Sequence, residues 1–174
     1  MRLSNVNNLI DNVLGMVEKQ YRKEKIEVVR MLDPNIPDVM MDARQMEQVV
    51  INITNNAVFA MKESVGNTEH AGVLRKGELT VGSRFHAYKE CVEIFIKDTG
   101  VGISKNVLRK IFDPFFTTRK DGKGTGLGLS ISYGIVKMHD GSIEVDSEIG
   151  KGTTFRIFLP LKAKKEQEMC VIKL

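Results

Sequence analysis

Three amides lie at one helical spacing. Gln48, Asn52 and Asn56 follow one another at i, i+4 and i+8, so on a helix they share a face, flanked by the apolar Val49, Val50, Ile53 and Ala57. Asn is a mediocre helix former, and a buried amide costs stability unless its groups are bonded. A polar stripe there suits a ligand, although a solvent-facing stripe has the same pattern. A second candidate is Asp98 in "IKDTGVGIS" (96–104), where an apolar run meets a carboxylate and two spaced glycines, Gly100 and Gly102. A carboxylate at a strand end can accept a hydrogen bond from an exocyclic amine, and the glycines let a flat ring approach the backbone. Ordinary Asp-Gly turns share this sequence. The third is "FDPFFTTRKDGKGTGLGLS" (112–130). Phe115 and Phe116 could clamp a segment shut, Arg119, Lys120 and Lys123 are cations suited to polyphosphate, and Gly122 and Gly124 read as hinges of a lid. Residue by residue, a charged surface loop reads the same way.

The run "GKGTGLGLSISYGIV" (122–136) carries four glycines at alternate positions and leads into an apolar segment. It lacks both the P-loop pattern and the dinucleotide-binding glycine spacing. A helix opening near Leu127 would still offer unpartnered amides to an anion. Asp98-Thr99-Gly100 after an apolar strand is also the triplet of aspartic proteases, whose chemistry needs two carboxylates. With one such triplet, a protease would have to be a homodimer.

These residues must be positioned by regular elements. Apolar residues at 6, 9, 10, 13, 14 and 17 form one helical stripe within 3–21. Residues 26–32 read as a strand that "DPNIPD" stops. Asp42 is a good N-cap for a long helix whose apolar positions 46, 49, 50, 53, 57, 60 and 61 keep helical period; it should end near Lys62, with "SVGNTEHAG" as loop. Alternation over 78–85 and 92–97, joined by "HAYKE", predicts an antiparallel hairpin. A short helix runs through Ile111, and the helix after the glycines ends at "HDG", where Gly141 suits the left-handed cap. Residues 142–147 and 153–159 form a last hairpin across Gly150 and Gly152. The sum is α+β: a two-layer sandwich with a mixed, mostly antiparallel sheet of about five strands on about three helices.

The 174 residues are 42% apolar and 28% charged, which fits a globular domain with a core. No apolar run spans a membrane and no secretory signal opens the chain, so no membrane contact is expected. Cys91 and Cys170 have no metal-ligand spacing, and a reduced, cytoplasmic setting follows. Net charge is +4 and there is no Trp, which argues against a nucleic-acid partner.

Taken in order, "QVVINITNNAVFAM", "DTGVGIS", "FDPFFTT" and "GTGLGLS" resemble the N box, first glycine box, F box and second glycine box of the catalytic ATP-binding domain of bacterial sensor histidine kinases, of the Bergerat-fold ATPase superfamily. The ending "GSIEVDSEIGKGTTFRIFLP" is similar to the hairpin closing that family's sheet. The resemblance implies ATP and Mg²⁺ as cofactors, with the metal held by Asn56 and Asn52 close to the metal-phosphate assembly. It implies Asp98 on the adenine amino group, helped by Thr153 through a water, with Gly100, Gly102 and Ile103 in the same box. Gly124, Thr125, Gly126, Leu127, Gly128 and Leu129 would surround the triphosphate. Related hydrolases carry a Glu where this chain has Asn52, an amide that cannot activate water. Two departures stand out: Phe59 replaces a frequent Lys or Arg, and Thr117 a frequent Arg, which leaves the cationic role to Arg119, Lys120 or Lys123. None of His70, His86 and His139 lies in the family's phosphoacceptor box. The implied partners are a histidine-bearing dimerisation domain and the receiver domain of a response regulator. Residues 1–22 are expected to be the tail of a dimerisation helix and linker, 23–162 the ATP-binding domain and 163–174 a tail. An ATP sensor without phosphotransfer is the alternative.

Overall fold

A computed structural model describes residues 1–68, 76–119 and 124–161. His70, Lys120, Gly122, Lys123 and the tail from 162 lie outside the described residues. Strand β1 (Arg2–Ser4) leads into helix α1 (Val6–Lys23), followed by β2 (Ile26–Met31), β3 (Val39–Met41) and helix α2 (Ala43–Thr68). Then come β4 (Gly77–His86), β5 (Cys91–Asp98), the short helix α3 (Lys105–Leu108), helix α4 (Gly128–Met138), β6 (Ser142–Glu148) and β7 (Gly152–Pro160).

Five strands form one sheet in the order β2-β4-β5-β7-β6, parallel only between β2 and β4. The sheet is mixed and mostly antiparallel, as expected, and its two antiparallel hairpins are those read from the sequence. Alternate residues of β4, β5 and β7 (Leu79 and Val81, Val92 to Ile96, Phe155 to Leu159) point into the core. They meet Val6, Leu9, Ile10, Val13 and Leu14 of α1, Met46, Val49, Val50 and Ile53 of α2, and Ile135 and Val136 of α4 in one cluster. Each such side chain contributes on the order of 1.5–3 kcal/mol by leaving water. The segment 1–22 thus shares the core of the rest of the chain. A small sheet that alternation did not reveal pairs β1 with β3. Among the described residues no helix is long and apolar enough to cross a membrane.

Caps fix the helices that matter for the site. Asp42 Oδ1 accepts from the amides of Arg44 and Gln45 at 3.0 and 3.2 Å, the expected N-cap of α2. The ring of buried His139 ties this cap to the end of α4: Nε2 accepts from the Asp42 amide at 2.9 Å, while Nδ1–H donates to Ile135 O at 2.7 Å.

Three boundary expectations are corrected. Helix α2 continues to Thr68 rather than ending near Lys62, because the extension has no proline and a single glycine costs a helix only about 1 kcal/mol. The helix before Ile111 stops at Leu108 and continues as turns, with Lys110 N–H on Val107 O and Asp113 N–H on Lys110 O. At the end of α4 it is Asp140, at φ 55°, that takes the left-handed position. Its amide reaches Lys137 O and that of Gly141 reaches Val136 O, both at 3.0 Å, a Schellman closure. Gly141 is needed for another reason: a Cβ there would lie 2.6 Å from Phe158 O.

Candidate functional site

A cleft of about 450 Å³ opens between α2, α3, the end of β5 and the start of α4. Its wall brings together Asn52, Asn56, Asp98, Gly102, Ile103, Arg119, Gly124, Thr125, Gly126, Gly128, Leu129 and Thr153, residues that stand far apart in the chain. Apolar surface comes from Ala60, Val107, Ile111, Phe116 and Phe155. The size and the mix of apolar wall with few polar groups suit a small-molecule site.

Asp98 closes one end, at the last position of β5, only 3% exposed. Its Oδ1 accepts from the amides of Gly100 at 2.8 Å and Thr153 at 3.3 Å. Among the described residues no donor reaches Oδ2, which leaves an acceptor for a ligand amine. Burial pushes the carboxyl up from its ordinary 3.8 to about 6, against the two backbone bonds, which lower it. Behind it Ser147 acts as a brace: its Oγ accepts from Ile103 N–H at 2.8 Å and lies 2.9 Å from the Thr153 hydroxyl and 3.0 Å from Gly152 O. Ser147 was missed in the sequence. Its signal was a polar residue at an inward position of β6, in step with Ile143 and Val145.

The glycines of this end serve a purpose other than admitting a ring. A Cβ at Gly100 would lie 2.7 Å from the Ala60 backbone, and one at Gly102, at φ 72°, 2.1 Å from Glu148 O. Protein backbone fills both spaces, with Val101 N–H on Ala60 O and Gly150 N–H on Val101 O. The glycines dock the loop between α2 and the β6–β7 turn, and Gly100 does not line the cleft.

At the other end Asn56 and Asn52 project from α2, while exposed Gln48 drops out of the stripe. Asn52 spends its amide nitrogen on α4, donating to Gly128 O at 3.2 Å and Ser132 Oγ at 3.3 Å. Asn56 Oδ1 accepts from the Arg119 guanidinium at 3.0 Å. Helix α4 begins with no side-chain cap, so its first amides are not taken by one. Leu127 precedes the helix, its amide 3.4 Å from Thr125 Oγ1, and is not part of the wall. Gly126, at φ 67°, faces the Phe115 backbone, 2.4 Å from where a Cβ would sit. Gly124 is packed rather than open, with Thr117 Oγ1 2.6 Å from its would-be Cβ. Of the two expected clamp aromatics only Phe116 lines the cleft; Phe115 is 74% exposed at φ 65°. Phe112 anchors the segment on Tyr133 of α4, with ring centroids 5.2 Å apart.

Residues 41–163 match the family model described as histidine kinase-, DNA gyrase B-, and HSP90-like ATPase. The chain belongs to this ATPase family. It is 47% identical over 127 residues to the sensor kinase CckA of Brucella abortus (strain 2308), which covers 70% of this chain and 13% of that protein. The chain is therefore similar to a small part of that relative's length. The solved catalytic domain of histidine kinase ThkA has a TM-score of 0.75 at 29% identity, over 92% of this chain and 97% of that one. ThkA solved in complex with the response regulator protein TrrA gives 0.70 at 28% identity, over 91% and 41%. Membership in an ATPase family, with Asp98 held by its own backbone, sets the protease reading aside.

Proposed function

We propose that this chain is the catalytic domain of a two-component sensor histidine kinase, which binds Mg-ATP and donates the γ-phosphoryl to a histidine of a helical dimerisation domain. The observation that carries the reading is one cleft with a backbone-held carboxylate at one end, Asp98, and side-chain oxygens beside an uncapped helix start at the other. The free oxygen of Asp98 accepts from the adenine amino group, and Thr153 and Ser147 hold that carboxylate in place. Ile103, Ala60, Val107 and Phe155 give the base an apolar enclosure. Gly124, Thr125, Gly126, Gly128 and Leu129 receive the phosphates with Arg119 as a cation, and Lys120 and Lys123, outside the described residues, are the other candidates for that role.

Asn56 Oδ1 is a hard oxygen donor suited to Mg²⁺, which takes few protein ligands and completes its shell with phosphate and water. Among the described residues no cluster of three His, Cys, Asp or Glu could hold a metal by itself, so a ligand set shared with the nucleotide fits. When bound, the ion neutralises phosphate charge. The rest is positioning. Asn52 presents an amide, not a base, and directs its nitrogen into α4, which leaves water unactivated and favours transfer to a histidine. The receiver domain of a response regulator is the proposed next acceptor, and the cytoplasm the proposed compartment.

Calorimetric titration tests the site: Asn56→Ala and Asp98→Ala should each lose most of the Mg-ATP affinity, and parent-like binding by either would remove that residue from the site. Incubation with labelled ATP and the histidine-bearing domain tests the transfer. Label on that histidine is expected; binding without label would identify an ATP sensor.

A further inference from the structure

We propose that Phe59 is a positioning residue of the nucleotide site, its ring a platform that carries the Arg119 guanidinium to the polyphosphate end of the cleft. This rests on the ATP-binding reading above and adds to it a residue whose type is apolar and whose place in the chain suggested a lost cation.

The geometry is specific. The Arg119 guanidinium carbon lies 4.0 Å from the centroid of the Phe59 ring, well inside the range in which a cation is held by a ring face. One nitrogen of the same guanidinium donates to Asn56 Oδ1 at 3.0 Å. Phe59 and Asn56 stand three residues apart on α2, so they are neighbours on the helix surface and both line the cleft. The Arg119 backbone is held in turn, its amide donating to Thr117 Oγ1 at 3.1 Å. Ring and amide together thus hold a side chain that springs from a loop, and once Mg²⁺ takes Asn56 Oδ1 the ring is the hold that remains.

Stacking has a consequence that an ion pair would not. A guanidinium has five N–H donors and a flat face. The ring takes the face, Asn56 takes one donor, and among the described residues no carboxylate pairs with Arg119. A charge held by a ring face stays available to an anion, whereas a cation held by a carboxylate would first have to be released from it. An apolar residue on α2 thus does through Arg119 what a cation at its own position would do directly.

The test is binding of ATP, ADP and AMP, each with Mg²⁺, to the parent and to Phe59→Leu, Phe59→Tyr, Arg119→Gln and the double variant Phe59→Leu/Arg119→Gln. Melting without nucleotide checks the fold, and Phe59→Met serves as a second ring-free replacement if the Leu variant is poorly folded. Phe59→Leu should weaken ATP by about 5-fold and leave AMP within about 2-fold, since ring-held cations contribute modestly. Phe59→Tyr, which keeps the ring face, should restore the preference for ATP over AMP. The double variant should bind ATP no worse than Arg119→Gln alone, because the ring acts only through the cation. Equal weakening of ATP and AMP by Phe59→Leu, or additive losses in the double variant, would overturn the proposal. A parent that binds none of the three nucleotides would instead overturn the ATP site itself.

Discussion

The two ends of the cleft are built in different ways. At the Asp98 end the carboxylate is buried and held by backbone amides, and the loop beneath it is locked by glycines whose missing Cβ atoms make room for backbone. At the Asn56 end the contacts are between side chains, and one of them, Arg119, comes from the segment between α3 and α4. Backbone-built sites are costly to disturb and change little on binding; side-chain sites can exchange partners. The contrast suggests a fixed base pocket joined to an adaptable phosphate pocket.

Breaking the rigid end should have the largest effect. Gly152 sits at φ 106°, and a Cβ would lie 2.0 Å from Asp98 O, so Gly152→Ala should destabilise by roughly 3 kcal/mol or more and move Asp98 as well. Chemical denaturation should show the loss, with weaker ATP binding in the fraction that folds. Second is the charge on Asp98. Because the folded protein raises this carboxyl from 3.8 to about 6, ionising it opposes folding by about 3 kcal/mol; that penalty is complete above about pH 6 and absent below about 3.8. Asp98→Asn should therefore stabilise the protein at pH 7, with the gain shrinking as pH falls toward 4. It should still bind ATP poorly, since an amide nitrogen would face the adenine amine. The parent's ATP affinity should decline as pH falls through 6.

Smaller effects belong to the other end. Asn52→Asp keeps the shape but replaces the donor to Gly128 O and Ser132 Oγ with an acceptor, which should cost about 1–3 kcal/mol in a melting experiment. The smallest change sharpens the comparison: Gly134 on the outer face of α4 has nothing within 4 Å of a would-be Cβ, so Gly134→Ala should stabilise by roughly 0.5–1 kcal/mol. Nucleotide affinity should not change with it.

Periodicity made α1, α2 and the first hairpin legible, because their buried faces repeat every 3.6 or 2 residues, while glycines marked α4 and the last hairpin. Asn52 and Asn56 stood out as polar residues on a core-seeking helix and Asp98 as a carboxylate at a strand end before two glycines, and the three line one cleft. Other features depend on distant partners and leave no local trace. The parallel placement of β2 and the β1–β3 pair are of this kind. The same holds for Phe59, whose partner Arg119 comes from a distant segment, whereas Ser147 left a faint trace as a polar residue in step with Ile143 and Val145. Gly100 and Gly102 were legible as necessary but not why, since the atoms that exclude a Cβ belong to Ala60 and Glu148.

One titration addresses the two-ended cleft most directly: Mg-ATP and adenosine binding to the parent, Asp98→Ala and Asn56→Ala, with and without Mg²⁺. The expected result is that Asp98→Ala loses both ligands, while Asn56→Ala keeps adenosine and loses only the Mg²⁺-dependent part of ATP affinity. Unchanged ATP binding in Asp98→Ala, or equal loss of adenosine in Asn56→Ala, would contradict the division of the cleft.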